Sequence, residues 1–250
     1  MLKPLLMMKK TSMLYWWPKI RDLKIPVPKT EIITVPYNDL VGLLNDKRLS
    51  LEYEKKIIEA GDKVGYPLFL RTDMSSAKHQ WERTCFVPKV EDIFKHIRAL
   101  IDETLTAGIF GELDPNALVF REFLHLYSTF TAFSGLPIAR ERRYFIRDGV
   151  VECHHAYWIY DAIERGWGQR YNNWRQLLFN LNREHKNEIK LLTSYAKRVA
   201  EVLRGYWSVD FACSKSRTWY LIDMAEGEKS WHPEHSKHSE GDSQPNKRGC

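Results

Sequence analysis

Near the end of the chain, large apolar side chains alternate with small or polar ones, and this pattern predicts a β-hairpin. The alternation runs over residues 206–213, and a second apolar run follows over residues 218–226 after a short polar segment. A two-residue or a four-residue loop would set Asp210 directly opposite Asp223 across the two strands. A three-residue loop would instead place the two aspartates on opposite faces of the hairpin.

Two opposed carboxylates predict a metal site. Directly opposite residues have Cβ atoms about 4.5–5.5 Å apart, where like charges repel. A cation would relieve that repulsion, and oxygen ligands favour magnesium. Glu226 follows as a third carboxylate. The competing interpretation is a surface hairpin with two solvated aspartates. On the metal hypothesis, replacing Asp210 or Asp223 by asparagine should leave the ligand-free protein as stable as before, or slightly more stable.

The remaining pattern predicts an α+β protein. Apolar residues at helical spacing predict helices over residues 37–61, 90–105 and 171–204, the last with a break near residues 182–187. Short apolar runs predict strands over residues 32–35, 66–72, 83–87, 118–124, 137–146 and 150–157. The dipeptide Asp148-Gly149 is a strong turn signal and joins the last two strands into a hairpin. Several prolines predict that the N-terminal segment, residues 1–37, forms no helix.

Composition and charge narrow the class of protein. The chain has 250 residues, 44% of them hydrophobic, which suffices for one large domain or two small lobes. Its net charge of +6 favours an anionic partner such as a nucleotide, a nucleic acid or an acidic substrate. No run of 18 apolar residues exists, so no membrane span is expected. The cysteines are far apart, which is typical of a reduced, cytoplasmic protein; they are Cys85, Cys153, Cys213 and Cys250.

Basic residues inside apolar strands are the unusual feature of this sequence. Arg71, Arg121 and Arg143 each interrupt a predicted strand, and Lys78 lies in a polar loop. Buried guanidiniums need anionic partners, and arginine matches the geometry of phosphate groups. The three arginines together therefore predict a polyphosphate site, although exposed arginines on edge strands would explain any one of them. The usual glycine-rich phosphate loops are absent, and Ser75–Lys78 is the candidate replacement.

Two other patterns invite a metal or a nucleic-acid interpretation. His232, His235 and His238 recur every three residues, but no cysteine lies near them, and a solvated tail is the favoured interpretation. From Ser236 onward the chain lacks large apolar residues, so we expect a disordered tail that can be removed without loss of folding. The nine tryptophans and twelve tyrosines, together with the positive charge, permit stacking on nucleic-acid bases.

The order of these features resembles the ATP-grasp superfamily over about residues 25–232. The segments that carry the resemblance are Ile25–Thr30, the Tyr66-Pro67 strand that ends at Arg71, Ser75–Lys78, residues 119–123, Glu141–Arg143, and residues 209–211 and 221–223. The most similar clade is the divergent one marked by two arginines and a lysine, which is common in phage and bacterial conflict systems. The eukaryotic cell-division-cycle assembly factor of the same fold is a more distant likeness.

The resemblance implies an ATP-grasp fold, in which two α+β lobes with antiparallel sheets clasp a nucleotide. On that basis residues 1–36 are a short N-terminal segment and residues 37–118 form the small lobe. Residues 119–235 form the large lobe with the metal hairpin, and residues 236–250 form the tail. ATP and Mg2+ are the implied ligands.

The resemblance also implies roles by position. The implied nucleotide-binding residues are Arg71, Lys78, Arg121, Glu122, Phe123 and Arg143, of which Lys78 and Arg143 are also the implied catalytic residues. The implied metal ligands are Asp210, Asp223 and Glu226. The chain departs from the family at Ala225, where an asparagine is usual. Either Glu226 substitutes for that asparagine or one magnesium ion is lost.

The implied activity is that of an ATP- and Mg-dependent carboxylate–amine ligase. Such an enzyme converts a carboxylate to an acyl phosphate, which an amine then attacks, and the protein mainly supplies positioning and cations. The two substrates are not identified by the sequence, and a peptide or protein is among the candidates. The alternatives are an ATP-binding assembly factor or chaperone without ligation, and a nucleic-acid-binding protein.

Overall fold

The computed structural model describes residues 9–108, 113–133, 135–166 and 172–232. The predicted tail lies outside these residues, and so do His235 and His238. Within the described residues, no helix is long and apolar enough to cross a membrane. The elements are α1 (Met13–Ile20), β1 (Thr30–Thr34), α2 (Tyr37–Gly42), α3 (Leu51–Val64), β2 (Leu68–Thr72), β3 (Phe86–Val87), α4 (Ile93–Gly108), β4 (Ala117–Glu122), β5 (Ser128–Ala132), β6 (Leu136–Ala139), β7 (Glu141–Arg147), β8 (Val150–Ala156), α5 (Tyr160–Arg165), α6 (Trp174–Asn182), α7 (Lys186–Val202), β9 (Tyr206–Cys213) and β10 (Trp219–Glu226).

The first half of the chain builds a four-stranded antiparallel sheet in the order β1-β4-β2-β3. Alternation along β2 directs Leu68 and Leu70 to one face, where they are fully buried against α3 and α4. The same alternation directs Phe69 and Arg71 to the opposite face. We call this the small sheet, and its opposite face forms one wall of the candidate site.

Local capping explains where α3 begins and ends. The Ser50 side chain accepts a hydrogen bond from the Tyr53 amide at the N-terminus. Glu52 and Glu54 follow in the first turn, where the helix dipole favours negative charge. Gly65, with φ of +95°, ends the helix in a backbone conformation that other residues rarely adopt. These signals are all local, so the sequence can predict them.

The second half builds a four-stranded antiparallel sheet in the order β10-β9-β7-β8, which we call the large sheet. Strand β9 is buried along its whole length. Val209 and Phe211 face a core formed with α7 and α1. Asp210, between them, faces the other way. A smaller two-stranded unit, β5 with β6, packs against α5 and α6 over a separate apolar cluster.

Helix α1 shows that the expectation of no helix in the N-terminal segment was wrong. It begins at Ser12, whose hydroxyl accepts a hydrogen bond from the Leu14 amide. Pro18 lies inside the helix, and an interior proline costs about 3 kcal/mol. Trp16 and Ile20 are fully buried in the core of the large sheet. Burial of one such tryptophan is worth about 3–5 kcal/mol, which offsets the proline.

The predicted strand over residues 137–146 is in fact two strands. Strand β6 pairs with β5, whereas β7 pairs with β8 and β9. Arg140 lies at the change of partner: its amide donates to the Tyr127 carbonyl and its carbonyl accepts from the Cys213 amide. The predicted Asp148-Gly149 turn is confirmed, with positive φ at both residues. The predicted break between α6 and α7 is confirmed as well, whereas the helix over residues 37–61 is divided into α2 and α3.

Candidate functional site

A cleft of about 260 Å³ lies between the facing surfaces of the two sheets. Strands β2 and β4 of the small sheet line one wall, and β9 and β10 of the large sheet line the other. Most of the residues predicted for the site line this cleft: Arg71, Lys78, Arg121, Glu122, Phe123, Asp210 and Asp223. Arg143 adjoins it through an ion pair with Asp210. Strand alternation therefore brings residues far apart in sequence to one place.

The two aspartates are direct cross-strand neighbours, as predicted, but the predicted loop length was wrong. Five residues separate β9 from β10, and Trp219 pairs with Cys213. That odd loop alone would align Asp210 with Ile222. A β-bulge at Ile222 adds one residue to β10 and brings Asp223 opposite Asp210. The bulge, and not the turn, sets the register of the carboxylates.

Each aspartate forms an ion pair with an arginine. Asp210 accepts hydrogen bonds from Nε and Nη2 of Arg143, both at 2.8 Å, and Asp223 accepts one from Nη1 of Arg71 at 2.7 Å. The expected repulsion between bare carboxylates therefore does not arise. Burial opposes the charge of Arg143, but Asp210 outweighs it and raises the pKa of the guanidinium. Desolvation of Asp223 is likewise outweighed by Arg71, which lowers the pKa of that carboxyl.

Arg121 lies in the cleft wall with incomplete bonding. The residue is 3% exposed, Nη1 donates to the Ile222 carbonyl, and Nε donates to the Thr30 hydroxyl at 3.3 Å. Nη2 has no hydrogen-bond partner among the described residues. Burial and the neighbouring charge of Arg71 lower the pKa of Arg121 to about 9, so the guanidinium remains protonated at pH 7. An anion in the cleft would complete its bonding.

Lys78 is held between two aromatic rings and a buried carboxylate. Its Nζ lies 4.1 Å from the centroid of the Tyr157 ring and 4.8 Å from that of Trp158. Glu141 Oε2 lies 3.7 Å from the same nitrogen. Burial opposes the charge of Lys78, but Tyr157 and Glu141 outweigh it and raise its pKa. Burial also raises the pKa of Glu141, against the opposing effect of Lys78.

One end of the cleft is apolar and aromatic. Trp81 lies 4.7 Å from Phe86 between ring centroids, and Phe86 lies 5.0 Å from Phe123. Leu124 and Leu126 continue this wall. Such a surface accepts a flat, weakly polar group such as a nucleobase. The predicted linker residues therefore lie at the end of the cleft where a base could stack.

The structure does not bring Glu226 to the two aspartates. It follows Asp223 by three positions on one strand and so points to the opposite face. There it accepts a hydrogen bond from the Thr11 hydroxyl at 2.9 Å and pairs with Lys229 at 2.7 Å. Ala225 shares the face of the aspartates but offers no ligand atom. In the part of the chain that is described, no group of three or more His, Cys, Asp and Glu side chains could hold a metal ion.

The residues of the cleft fit a polyphosphate accompanied by a divalent cation. Arg71, Lys78 and Arg121 supply positive charge from the small-sheet side, and the unpartnered Nη2 of Arg121 is a donor without an acceptor among the described residues. Asp210 and Asp223 supply the carboxylate oxygens that magnesium prefers. The fit is to two protein carboxylates, with the remaining ligands coming from phosphates and water.

The sequence did not identify the residues that surround Lys78. For Glu141 a signal existed, because it precedes Arg143 by two positions and so shares its face of β7. For Tyr157 and Trp158 no signal existed, because nothing in their spacing relates them to a lysine in a distant loop. Their contacts with Lys78 arise only when β8 and the small sheet meet.

Comparisons with known proteins agree with this architecture. The family model of an ATP-grasp domain, clade family 3 of the type marked by two arginines and a lysine, matches residues 59–241. No curated protein matches the chain in sequence. Among solved structures, C-terminally truncated Cdc123 from Schizosaccharomyces pombe is similar, with 15% identity and a TM-score of 0.54 over 86% of this chain and 83% of that chain. At this identity the likeness shows the fold alone.

Two ligases are also similar in fold. D-alanine–D-alanine ligase from Bacillus anthracis complexed with ATP has 12% identity and a TM-score of 0.46, over 87% of this chain and 53% of that chain. N5-carboxyaminoimidazole synthase from Aspergillus clavatus has 12% identity and a TM-score of 0.47, over 86% of this chain and 44% of that chain. These scores are below 0.5 and carry no argument about activity.

Proposed function

Because the chain belongs to this ATP-grasp domain family, we propose that it is an ATP- and Mg-dependent ligase that joins a carboxylate to an amine. The observation that carries the proposal is the convergence of arginines and carboxylates from both sheets on one cleft. A polyphosphate with its cation needs both kinds of charge, and family membership supports ATP as that polyphosphate. The two sheets are then the two lobes, and we assign β1 to the small lobe.

The residues of the cleft divide into those for the base and those for the phosphates. Phe123 and Glu122 lie at the aromatic end, where we assign the adenine and the ribose. Arg71, Lys78 and Arg121 are assigned to the phosphates because each carries its charge into the cleft. Charge-assisted hydrogen bonds of this kind are about twice as strong as neutral ones.

Arg143 and the two aspartates are assigned to phosphoryl transfer. Arg143 stabilises negative charge on the transferred group, and Asp210 and Asp223 would hold magnesium. Magnesium, when bound in such a site, neutralises charge on the phosphates during transfer. No side chain has to act as a nucleophile, which is consistent with a site built from cations and carboxylates.

The proposed reaction is balanced in two steps. A substrate carboxylate oxygen bonds to the γ-phosphorus as the bond from that phosphorus to the bridging oxygen breaks, and ADP leaves. The amine nitrogen then bonds to the acyl carbon, inorganic phosphate leaves, and the amine loses a proton to water. Positioning of the two substrates accounts for much of the rate in such reactions.

The second candidate is an ATP-binding assembly factor without ligation. The observation that favours it is the reduced ligand set, because Ala225 and Glu226 contribute no ligand beside the aspartates. The match to Cdc123, which covers most of both chains, is compatible with either candidate. An assembly factor would bind ATP and turn it over little.

The test begins with a thermal shift. ATP with millimolar Mg2+ should raise the melting temperature, because a ligand that binds only the native state stabilises it by about 2.7 kcal/mol at a hundredfold excess over its dissociation constant. No shift would contradict nucleotide binding altogether. Release of ADP and phosphate is then measured with candidate carboxylates and amines. Release that depends on both substrates supports the ligase, whereas binding without turnover supports the assembly factor.

A further inference from the structure

A buried carboxylate beside Lys78 has no role in the proposed reaction. Glu141 begins β7, is 4% exposed and lines the cleft. Its Oε1 accepts a hydrogen bond from the Trp158 indole at 2.9 Å. Its Oε2 has no hydrogen-bond partner among the described residues. Burial of an incompletely bonded carboxylate is costly unless a cation compensates it, and Lys78 is the cation in position to do so.

The geometry around Lys78 indicates what the carboxylate does. The 3.7 Å between Lys78 Nζ and Glu141 Oε2 is longer than the about 2.7–2.9 Å of a charge-assisted hydrogen bond. Glu141 therefore attracts the ammonium by charge without using up its N–H donors. The rings of Tyr157 and Trp158 limit its position on two further sides. The ammonium is fixed in place and still able to donate to an anion in the cleft.

We propose that Glu141 is a positioning residue for the nucleotide: its carboxylate holds the Lys78 ammonium against Tyr157 and Trp158, in place to bind a phosphate. The inference rests on the proposed function. A lysine that is ordered in advance loses little side-chain freedom when the phosphate binds, and this strengthens binding. Without the charge of Glu141, Lys78 is free to leave the aromatic rings for solvent.

The test measures the affinity for a non-hydrolysable ATP analogue with Mg2+ by calorimetry. Glu141→Gln keeps the size of the side chain and an acceptor for Trp158 but removes the charge. We expect the affinity to fall roughly tenfold, the effect of one charge-assisted hydrogen bond. Glu141→Asp keeps the charge and should bind more tightly than Glu141→Gln. The control is Glu184→Gln, which removes a carboxylate outside the cleft and should leave the affinity unchanged.

A double-mutant cycle separates positioning from a general effect on folding. In the Lys78→Met background, Glu141→Gln should weaken binding no further. Equal weakening in both backgrounds would overturn the proposal, because Glu141 would then act independently of Lys78. If Glu141→Gln does not fold, Lys78→Met decides: weaker binding supports the proposal, and unchanged affinity overturns it.

The two proposals fail in different ways. A wild-type protein that binds no analogue would contradict the proposed function itself. Wild-type binding together with full affinity in Glu141→Gln would contradict only the role of Glu141 and leave the nucleotide site intact.

Discussion

Replacing Asp210 by asparagine should destabilise the fold, because it would leave Arg143 as a largely buried cation without an anion. Asp210 is 5% exposed, and the Arg143 side chain is 14% exposed. Two hydrogen bonds of 2.8 Å join them. Asparagine has the same size and can accept one of these bonds, but it carries no charge.

The expected magnitude follows from this geometry. Removing one partner of a buried ion pair costs about 3–5 kcal/mol. Arg143 keeps some access to water and one hydrogen bond, so we expect the lower end, about 3 kcal/mol. For a chain of this size about 1 kcal/mol corresponds to about 2–4 °C, so the melting temperature should fall by roughly 6–12 °C. Two facing carboxylates without arginines would predict the opposite sign, a gain of about 0.2–1 kcal/mol.

Urea unfolding at pH 7, followed by tryptophan fluorescence, measures the free energy of unfolding. The matched control is Glu152→Gln, which breaks an exposed pair with Arg147 that is worth at most about 1 kcal/mol. Combining Asp210→Asn with Arg143→Gln should lose less than the sum of the single effects. An Asp210→Asn protein as stable as the wild type would refute the buried ion pair. Unchanged stabilisation by Mg-ATP in that variant would refute the metal assignment.

Three further outcomes follow from the structure. The pKa of Asp223 is lowered in the fold, so its pair with Arg71 stabilises the protein above the ordinary aspartate pKa and is lost as the pH falls through the lowered value; Asp223→Asn should flatten the loss of unfolding free energy below about pH 4, measured by urea titrations at several pH values. Arg121→Met should weaken binding of a Mg-ATP analogue more than tenfold while changing stability by less than about 1 kcal/mol, because it removes a poorly compensated charge but also a bond to a backbone carbonyl; a large loss of stability in urea would contradict this. Trp16→Ala should cost about 3–5 kcal/mol if α1 belongs to the core, and a cost below about 1 kcal/mol would show that it does not.

Much of this protein could be predicted from the sequence because the signals are local. Alternation along a strand determines which residues share a face, and so the pattern of neighbouring residues alone assigns Asp210 to the polar face of β9. The Asp148-Gly149 turn and the caps of α3 are likewise set by residues that lie next to one another. The basic residues inside apolar strands predicted a shared anionic site for the same reason: a charge on a buried face requires a partner.

What the sequence could not provide were the partners of these residues. Arg71 and Asp223 meet only because the two sheets face each other, and they are 152 positions apart in the chain. The bulge at Ile222, which aligns the aspartates, is bonded by Arg121 of the opposite sheet. The helix around Pro18 forms because its tryptophans are buried in a core that distant strands supply. Each of these outcomes is decided by the free energy of long-range contacts, which outweighs the local preference of the residues involved and leaves no trace in their spacing.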